Sequence, residues 1–531
     1  MRRLSRRHFL AAAPVVALPV VSAARLRAGM QAASDQQFRH GVASGDPLTD
    51  RAIIWTRITT DATAAMVRWV VARDPQLRRV VARGETPTGA WRDYTVKVDV
   101  TGLQPGTAYY YRFDVTGGQS PVGRLRTLPG ADAARLRLGV VSCSNLPQGY
   151  FNAYGALARR ADLDAVVHLG DYIYEYRNAE FGDGTTLGRV PAPDREIVAL
   201  ADYRLRHAQY KADPDSQAMH RQHPLIAVWD DHEFTNNTWR EGAQNHNEDR
   251  GEGSWWTRRA AALQAYYEWM PIREHAASLE PQIYRTLHVG TLADLILLDT
   301  RIVGRDQERP SRDDVAGVED RTRQLLGEAQ EAWLHGELAA SARAGTRWQI
   351  LGQQVMFAPQ TLPGRPTTNT DSWDGYRGAR DRVFDMIEQQ RLSGVAVLTG
   401  DVHSAWVYDL PRRPFDQYDA TTGRGSLAVE FVGTSVSSPS NVGSGPDGER
   451  NLAALRDARP HLHYVDGRRR GYYVLDVTRE RIQADYFAMA TVKDRRLDED
   501  FSGGFAAPAG QMHLTRQATP VAPAPSPDPA P

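Results

Sequence analysis

Apolar and polar positions change their rhythm once along this chain, near residue 135. From Gln37 to Pro129, short runs alternate apolar and polar residues and are broken by Gly and Pro: Ala52–Thr56, Ala65–Val71, Tyr94–Val100 and Thr107–Val115. A period of two with no helical period predicts short strands, and several at this spacing predict a β-sandwich over 37–130. From Leu136 the apolar runs become continuous: Leu136–Val141, Ala165–Leu169, Leu225–Trp229, Leu292–Leu298, Trp348–Leu351, Val395–Thr399 and Leu427–Val432. They are too short for helices and predict strands buried on both faces. Between them lie segments of helical character, Tyr150–Arg160, Ile197–Ala212, Ser254–Trp269 (stopped by Pro271) and Gln324–Ser341. Strands alternating with helices predict an α/β layered domain over 135–505. Two Gly/Pro-rich stretches, Phe181–Pro193 and Pro359–Gly375, predict long loops, which inside a domain are often functional. The end, residues 506–531, with six prolines in its final twelve, predicts a disordered tail.

Composition narrows the possible roles. The 531 residues are 41% hydrophobic, with 64 basic and 64 acidic side chains, so no nucleic-acid-binding surface is expected from bulk charge. The single cysteine, Cys143, excludes an intramolecular disulfide framework. Beyond residue 30 nothing approaches the ~18 consecutive apolar residues of a membrane span, so no transmembrane segment is expected in the mature chain. Residues 1–30 read as an export signal: Ser5-Arg6-Arg7-His8-Phe9-Leu10, an apolar run from Ala11 to Ala23, and small residues at Val21-Ser22-Ala23 for cleavage. The Arg-Arg order is similar to the twin-arginine type, which implies the twin-arginine export machinery as a partner and a periplasmic or secreted product. Cleavage would remove Arg2, Arg3, Arg6 and Arg7 and leave the mature chain slightly acidic.

The chemistry sits where the apolar runs stop. They are followed in turn by Ser142-Cys143-Ser144-Asn145, by Gly170-Asp171-Tyr172-Ile173-Tyr174-Glu175-Tyr176, by Asp230-Asp231-His232-Glu233 and by Gly400-Asp401-Val402-His403. Each motif alone is an ordinary turn or cap. Together they place Asp, His, Cys and Tyr at four strand ends, where open α/β sheets bind ligands. Carboxylates gathered in one pocket need a compensating cation, which points to metal.

The constellation resembles the calcineurin-like metallophosphoesterases, and within them the PhoD-like alkaline phosphatases and phosphodiesterases. Cys143 stands where Asp or His is commoner in the broader group, Asp231 replaces an Asn before His232, and Asp401 replaces a His before His403. The resemblance runs from Phe38-Arg39-His40-Gly41-Val42-Ala43-Ser44-Gly45-Asp46-Pro47 through Trp229-Asp230-Asp231-His232-Glu233-Phe234 and Tyr266-Tyr267-Glu268-Trp269-Met270-Pro271 to Gly400-Asp401-Val402-His403-Ser404. It implies a fibronectin-III-like β-sandwich, matched by Leu103-Gln104-Pro105-Gly106-Thr107-Ala108-Tyr109-Tyr110, followed by a calcineurin-like α/β/β/α domain.

The same resemblance implies Fe3+ beside Ca2+, with Cys143, Tyr174, Asp171 and His403 at iron, Asp231 and Asp401 at calcium, and Asp171 shared. Thiolate and phenolate suit a transition metal, and hard carboxylates suit calcium. Such a pair would clamp a phosphoryl oxygen and lower the pKa of a bound water. His232 and Asp231 are the candidate catalytic residues, with His232 placed to protonate the leaving alcohol or to stabilise the equatorial oxygens. Asn236 and Asn237 are further candidate donors, and no phosphate-binding Arg stands out. The implied activity is metal-dependent hydrolysis of phosphate monoesters or diesters. A phospholipase-D-like or wall-polymer diesterase is the alternative within that class, and a secreted β-sandwich binding module with a structural metal is the alternative outside it.

Overall fold

The computed structural model describes residues 37–274, 282–440, 442–443 and 445–531. The export signal proposed for 1–30 lies outside them. The predicted apolar runs form strands within a residue or two of their expected bounds: Arg135–Val141, Ala165–His168, Pro224–Ala227, Ala293–Leu297, Trp348–Gly352, Val395–Thr399 and Ser426–Val432. The helices are Asn152–Ala158, Leu200–Lys211, Trp255–Trp269 and Glu328–Ala344, joined by others at Pro214–Gln222, Arg377–Gln389 and Gly448–Asp457.

Two mixed sheets form the frame. The first has ten strands in the order Thr515–Gln517, Glu499–Pro508, Arg481–Met489, Gly471–Thr478, Arg135–Val141, Ala165–His168, Pro224–Ala227, Val42–Gly45, Arg51–Arg57 and Thr95–Thr101. The second runs Arg285–Val289, Ala293–Leu297, Trp348–Gly352, Val395–Thr399, Ser426–Val432, Ala405–Pro411 and Leu462–Asp466. Its alternation shows how the layers stack. Leu295, Leu297, Ile350, Leu398 and Phe431 point into the core shared with the first sheet. Ile296, Leu298, Leu351, Val397 and Val432 point the other way, onto Leu334, Leu338, Val383 and Phe384 of the outer helices. Strands covered on both faces account for the continuous apolar runs.

The N-terminal unit packs two sheets around Val42, Ile54, Val67, Val96, Tyr111 and Phe113. Its boundary in sequence is not a boundary in hydrogen bonding. Ser44 and Gly45 pair in parallel with Pro224 and Leu225, so three of its strands extend the ten-stranded sheet. Trp55 Nε1 donates to the carbonyl of Glu268 at 2.8 Å across the same junction.

The C-terminal segment corrects an expectation. Residues 506–531 are not a disordered tail: Glu499–Pro508 and Thr515–Gln517 are edge strands, and the proline-rich end is pinned at intervals. Val521 N donates to Asp485, Ala524 N to Asp162, Ala530 N to Gln222, and Tyr110 Oη to the carbonyl of Asp528. Proline removes backbone donors but leaves carbonyls and the intervening N–H groups, and these hold an extended strap. Among the described residues no helix is long and apolar enough to cross a membrane.

Candidate metal centre and active site

Strand ends of both sheets meet at one place, and the backbone there is strained. Cys143, Asp171, Asp401 and His403 all lie in the left-handed region, with φ of 62°, 56°, 63° and 54°. Non-glycine residues avoid this region by about 1 kcal/mol or more, and it persists where the surroundings over-determine it, typically at functional sites. Gly170 makes the turn possible: its φ is +99°, and a Cβ there would sit 2.5 Å from the backbone nitrogen of Asp230. The buried Glu233 carboxylate ties these ends together by accepting from the backbone N–H of Asp171 at 3.0 Å and Asp230 at 2.7 Å.

Cys143, Asp171 and His403 offer donor atoms within 4.8 Å of one another, and so do Asp171, Asp231 and His232, and Asp230, Asp231 and Asp401. Tyr174 joins the first group: its hydroxyl donates to Asp171 Oδ2 at 2.9 Å and lies 3.1 Å from His403 Nε2, while Ser438 Oγ donates to it at 2.7 Å. The backbone oxygen of Pro439 lies 2.8 Å from His403 Nδ1, which turns Nε2 toward the cluster. All seven expected site residues are therefore brought together. Asn236 and Asn237 stand at the rim, where the Asn237 backbone N–H donates to Asp231 at 2.7 Å and its side chain turns to Glu308.

Burial and neighbouring charge set the protonation. Burial, then the Asp171 charge, pushes the Cys143 thiol and the Tyr174 phenol well above their ordinary values. Burial also raises Asp230 and Asp401, against the pull of Arg301. For Asp231 burial is outweighed by Arg301 and His232, which hold it low. His232 goes the opposite way from a typical buried imidazole: burial would lower it, but Glu175, Asp231 and Asp171 raise it well above 6.5.

Two residues in the centre had no assigned role from sequence. Glu175 Oε2 lies 2.7 Å from His232 Nδ1, while its other oxygen accepts from Asn236 N, and the His232 ring stacks on Tyr174 at 4.3 Å. Arg301, fully buried, bonds Asp230 through Nε, Asp371 through Nη1 at 2.9 Å and Asp401 through Nη2 at 3.0 Å, and lies 3.4 Å from Asp231. Its signal was present, because Asp299-Thr300-Arg301 directly follows the run Leu292–Leu298 and obeys the same strand-end rule. Both expected loops border the centre: Phe181 packs on Tyr174, His232 and His403, and Asp371 holds Arg301.

The donor set fits a metal pair. Asp230 Oδ2 and Asp231 Oδ1 are buried without a hydrogen-bond partner, an expensive state for carboxylate oxygens that a cation would relieve. Cys143 and Tyr174 add anionic donors that release protons when a metal binds.

The sequence signature of the PhoD-like phosphatases matches residues 138–486, and that of their N-terminal domain matches 22–129. The chain belongs to the PhoD-like phosphatase family. It is 37% identical over 480 residues to alkaline phosphatase D of Bacillus subtilis (strain 168), covering 87% of this chain and 79% of that one. A solved structure described as that of PhoD superposes with a TM-score of 0.83 at 35% identity, covering 92% and 93% of the two chains. A PhoD-like protein of this extent is a phosphoester hydrolase, and the alternative of a non-catalytic binding module is set aside.

Proposed function

We propose that this chain is an exported, metal-dependent hydrolase of phosphate monoesters and diesters, with ferric iron held by Cys143, Tyr174, Asp171 and His403 and calcium by Asp231 and Asp401, Asp171 being shared. The observation that carries the reading is the sorting of donors: the thiol, phenol and imidazole gather on one side of Asp171 and three carboxylates on the other. When bound, the ions supply Lewis-acid polarisation of the phosphoryl group and activation of the attacking water.

The protein's own groups do the rest. Glu175 holds the His232 ring by Nδ1 and favours its cationic form, leaving Nε2 to donate a proton to the departing alkoxide. Arg301 balances Asp230, Asp231, Asp371 and Asp401, so the carboxylates keep their places before and after turnover. The N-terminal unit, read as fibronectin-III-like, serves as packing for the helix Trp255–Trp269. The Arg-Arg signal in residues 1–30 supports export to the periplasm or beyond.

The test uses mature protein, a chromogenic phosphate monoester and a diester, with calcium and with a calcium chelator. Turnover that needs calcium is expected, and the rate ratio separates a phosphatase from a diesterase of lipid or wall-polymer type. The variant Cys143→Ser is expected to lose iron while retaining calcium. Full iron content and full activity in that variant would overturn the assignment of the thiol.

A further inference from the structure

The strand Ala405–Pro411 begins beside His403 and carries Asp409 toward its other end. At about 3.3 Å per residue the four steps from Ala405 put Asp409 roughly 13 Å along the strand from that end. There a second group of metal-ligating side chains converges from three separate segments. Asp409 is fully buried, and its carboxylate accepts from Tyr418 Oη at 2.7 Å and from the backbone N–H of Leu514 at 3.0 Å. Two imidazoles face the same carboxylate: His513 Nδ1 lies 2.6 Å from Oδ2, and His463 Nε2 lies 3.1 Å from Oδ1.

His463 Nε2 is shielded from solvent, and its one close polar neighbour is the Asp409 carboxylate at 3.1 Å, at an angle poor for a hydrogen bond. The three donor atoms lie within 4.8 Å of one another. Around a tetrahedral zinc, with bonds near 2.0–2.2 Å, ligand atoms sit roughly 3.3 Å apart, so small side-chain movements would close the shell. Tyr418 and Leu514 already orient the carboxylate, as the outer partners of a metal-bound carboxylate do. Two imidazoles and one carboxylate suit a borderline divalent cation and not calcium, which prefers six to eight oxygens.

We propose that Asp409, His463 and His513 form a second metal site, separate from the phosphoester centre, that binds a zinc-class divalent cation. The cation staples the outer strands of the seven-stranded sheet, which supply Asp409 and His463, to the segment between Glu499–Pro508 and Thr515–Gln517, which supplies His513. Its role is to stabilise the C-terminal end of the chain.

The experiment compares full-length mature protein with the His463→Gln/His513→Gln double variant, each stripped with chelator and then incubated with Zn2+ at a slight excess. Metal content after desalting should be about one equivalent of zinc lower in the variant. The unaltered protein should gain several degrees in Tm with zinc that the variant does not gain. Hydrolytic activity per folded molecule, measured on protein not treated with chelator, should stay the same in both, which separates this site from the catalytic one. Equal zinc content and equal Tm shifts would overturn the proposal. Should the double variant fail to fold, carbethoxylation of His463 and His513 in the unaltered chain, mapped with and without Zn2+, decides instead: protection by zinc supports the site, and equal modification overturns it.

Discussion

On one side of Asp171 stand Cys143, Tyr174 and His403, and on the other stand Asp230, Asp231 and Asp401. Both groups are built on tight turns at strand ends, and both bury ionisable side chains, yet they handle charge in opposite ways. Among the described residues the first group's one ion-pair contact is between His403 and Asp171, with no Arg or Lys taking part. The group keeps its acids protonated by burial, and its hydroxyls and ring nitrogens hydrogen-bond one another. The second is threaded by Arg301, which reaches three of its carboxylates as well as Asp371. The thiol and phenol can therefore wait for a metal as neutral groups and release protons on binding it, whereas the carboxyl group of Asp231 is held low, and those of Asp230 and Asp401 are kept from rising further, by a resident cation. Donor acidity, as much as donor softness, separates the two halves.

The comparison can be broken most directly at the residue the halves share. Asp171→Ala is expected to lower kcat by about 10⁴-fold and to reduce the content of both metals, checked by steady-state kinetics with metal analysis. Loss of one metal only would mean that the halves do not share this carboxylate. Next in size is Arg301→Met, which leaves buried carboxylates facing one another and should destabilise the fold by about 3–5 kcal/mol in denaturant unfolding. Calcium should restore part of that loss if the two cations act on the same carboxylates.

His232→Asn removes the proposed proton donor and is expected to lower kcat about 10²-fold. The loss should be smaller for substrates whose leaving group is already a weak base. The smallest effect should come from Glu175→Gln, about 10-fold in kcat with little change in KM, because the ring stays stacked on Tyr174 while losing its counter-charge. A loss equal to that of His232→Asn would show that Glu175 does more than hold the ring.

Much of this arrangement was legible along the chain. Strand positions followed from apolar runs, since a strand between two layers is apolar at every step. The site residues followed from what stands just past those runs, since ligand-binding turns occupy strand ends. The same rule applied to Leu292–Leu298 would have pointed to Arg301. Other features had no local trace. Glu175 looks like one more polar residue between Tyr174 and Tyr176, and its partner lies 57 residues away. The proline-rich end was expected to be disordered because composition reports the donors it lacks and says nothing of Asp485, Asp162 and Gln222 waiting to bind it.

The sequence by itself determined the kinds of layer, the order of the strands along the chain and the chemical types gathered at their ends. Those properties depend on periodicity and on residues a few positions apart. Only the tertiary structure decided that Val42–Gly45 would pair with Pro224–Ala227 and merge two apparent domains into one sheet. It also decided that one arginine would serve four carboxylates whose outermost members, Asp230 and Asp401, stand 171 positions apart. Strand order within a sheet and the facing of two sheets are set by the packing of the whole core, and that packing has no signature in any single stretch of the chain.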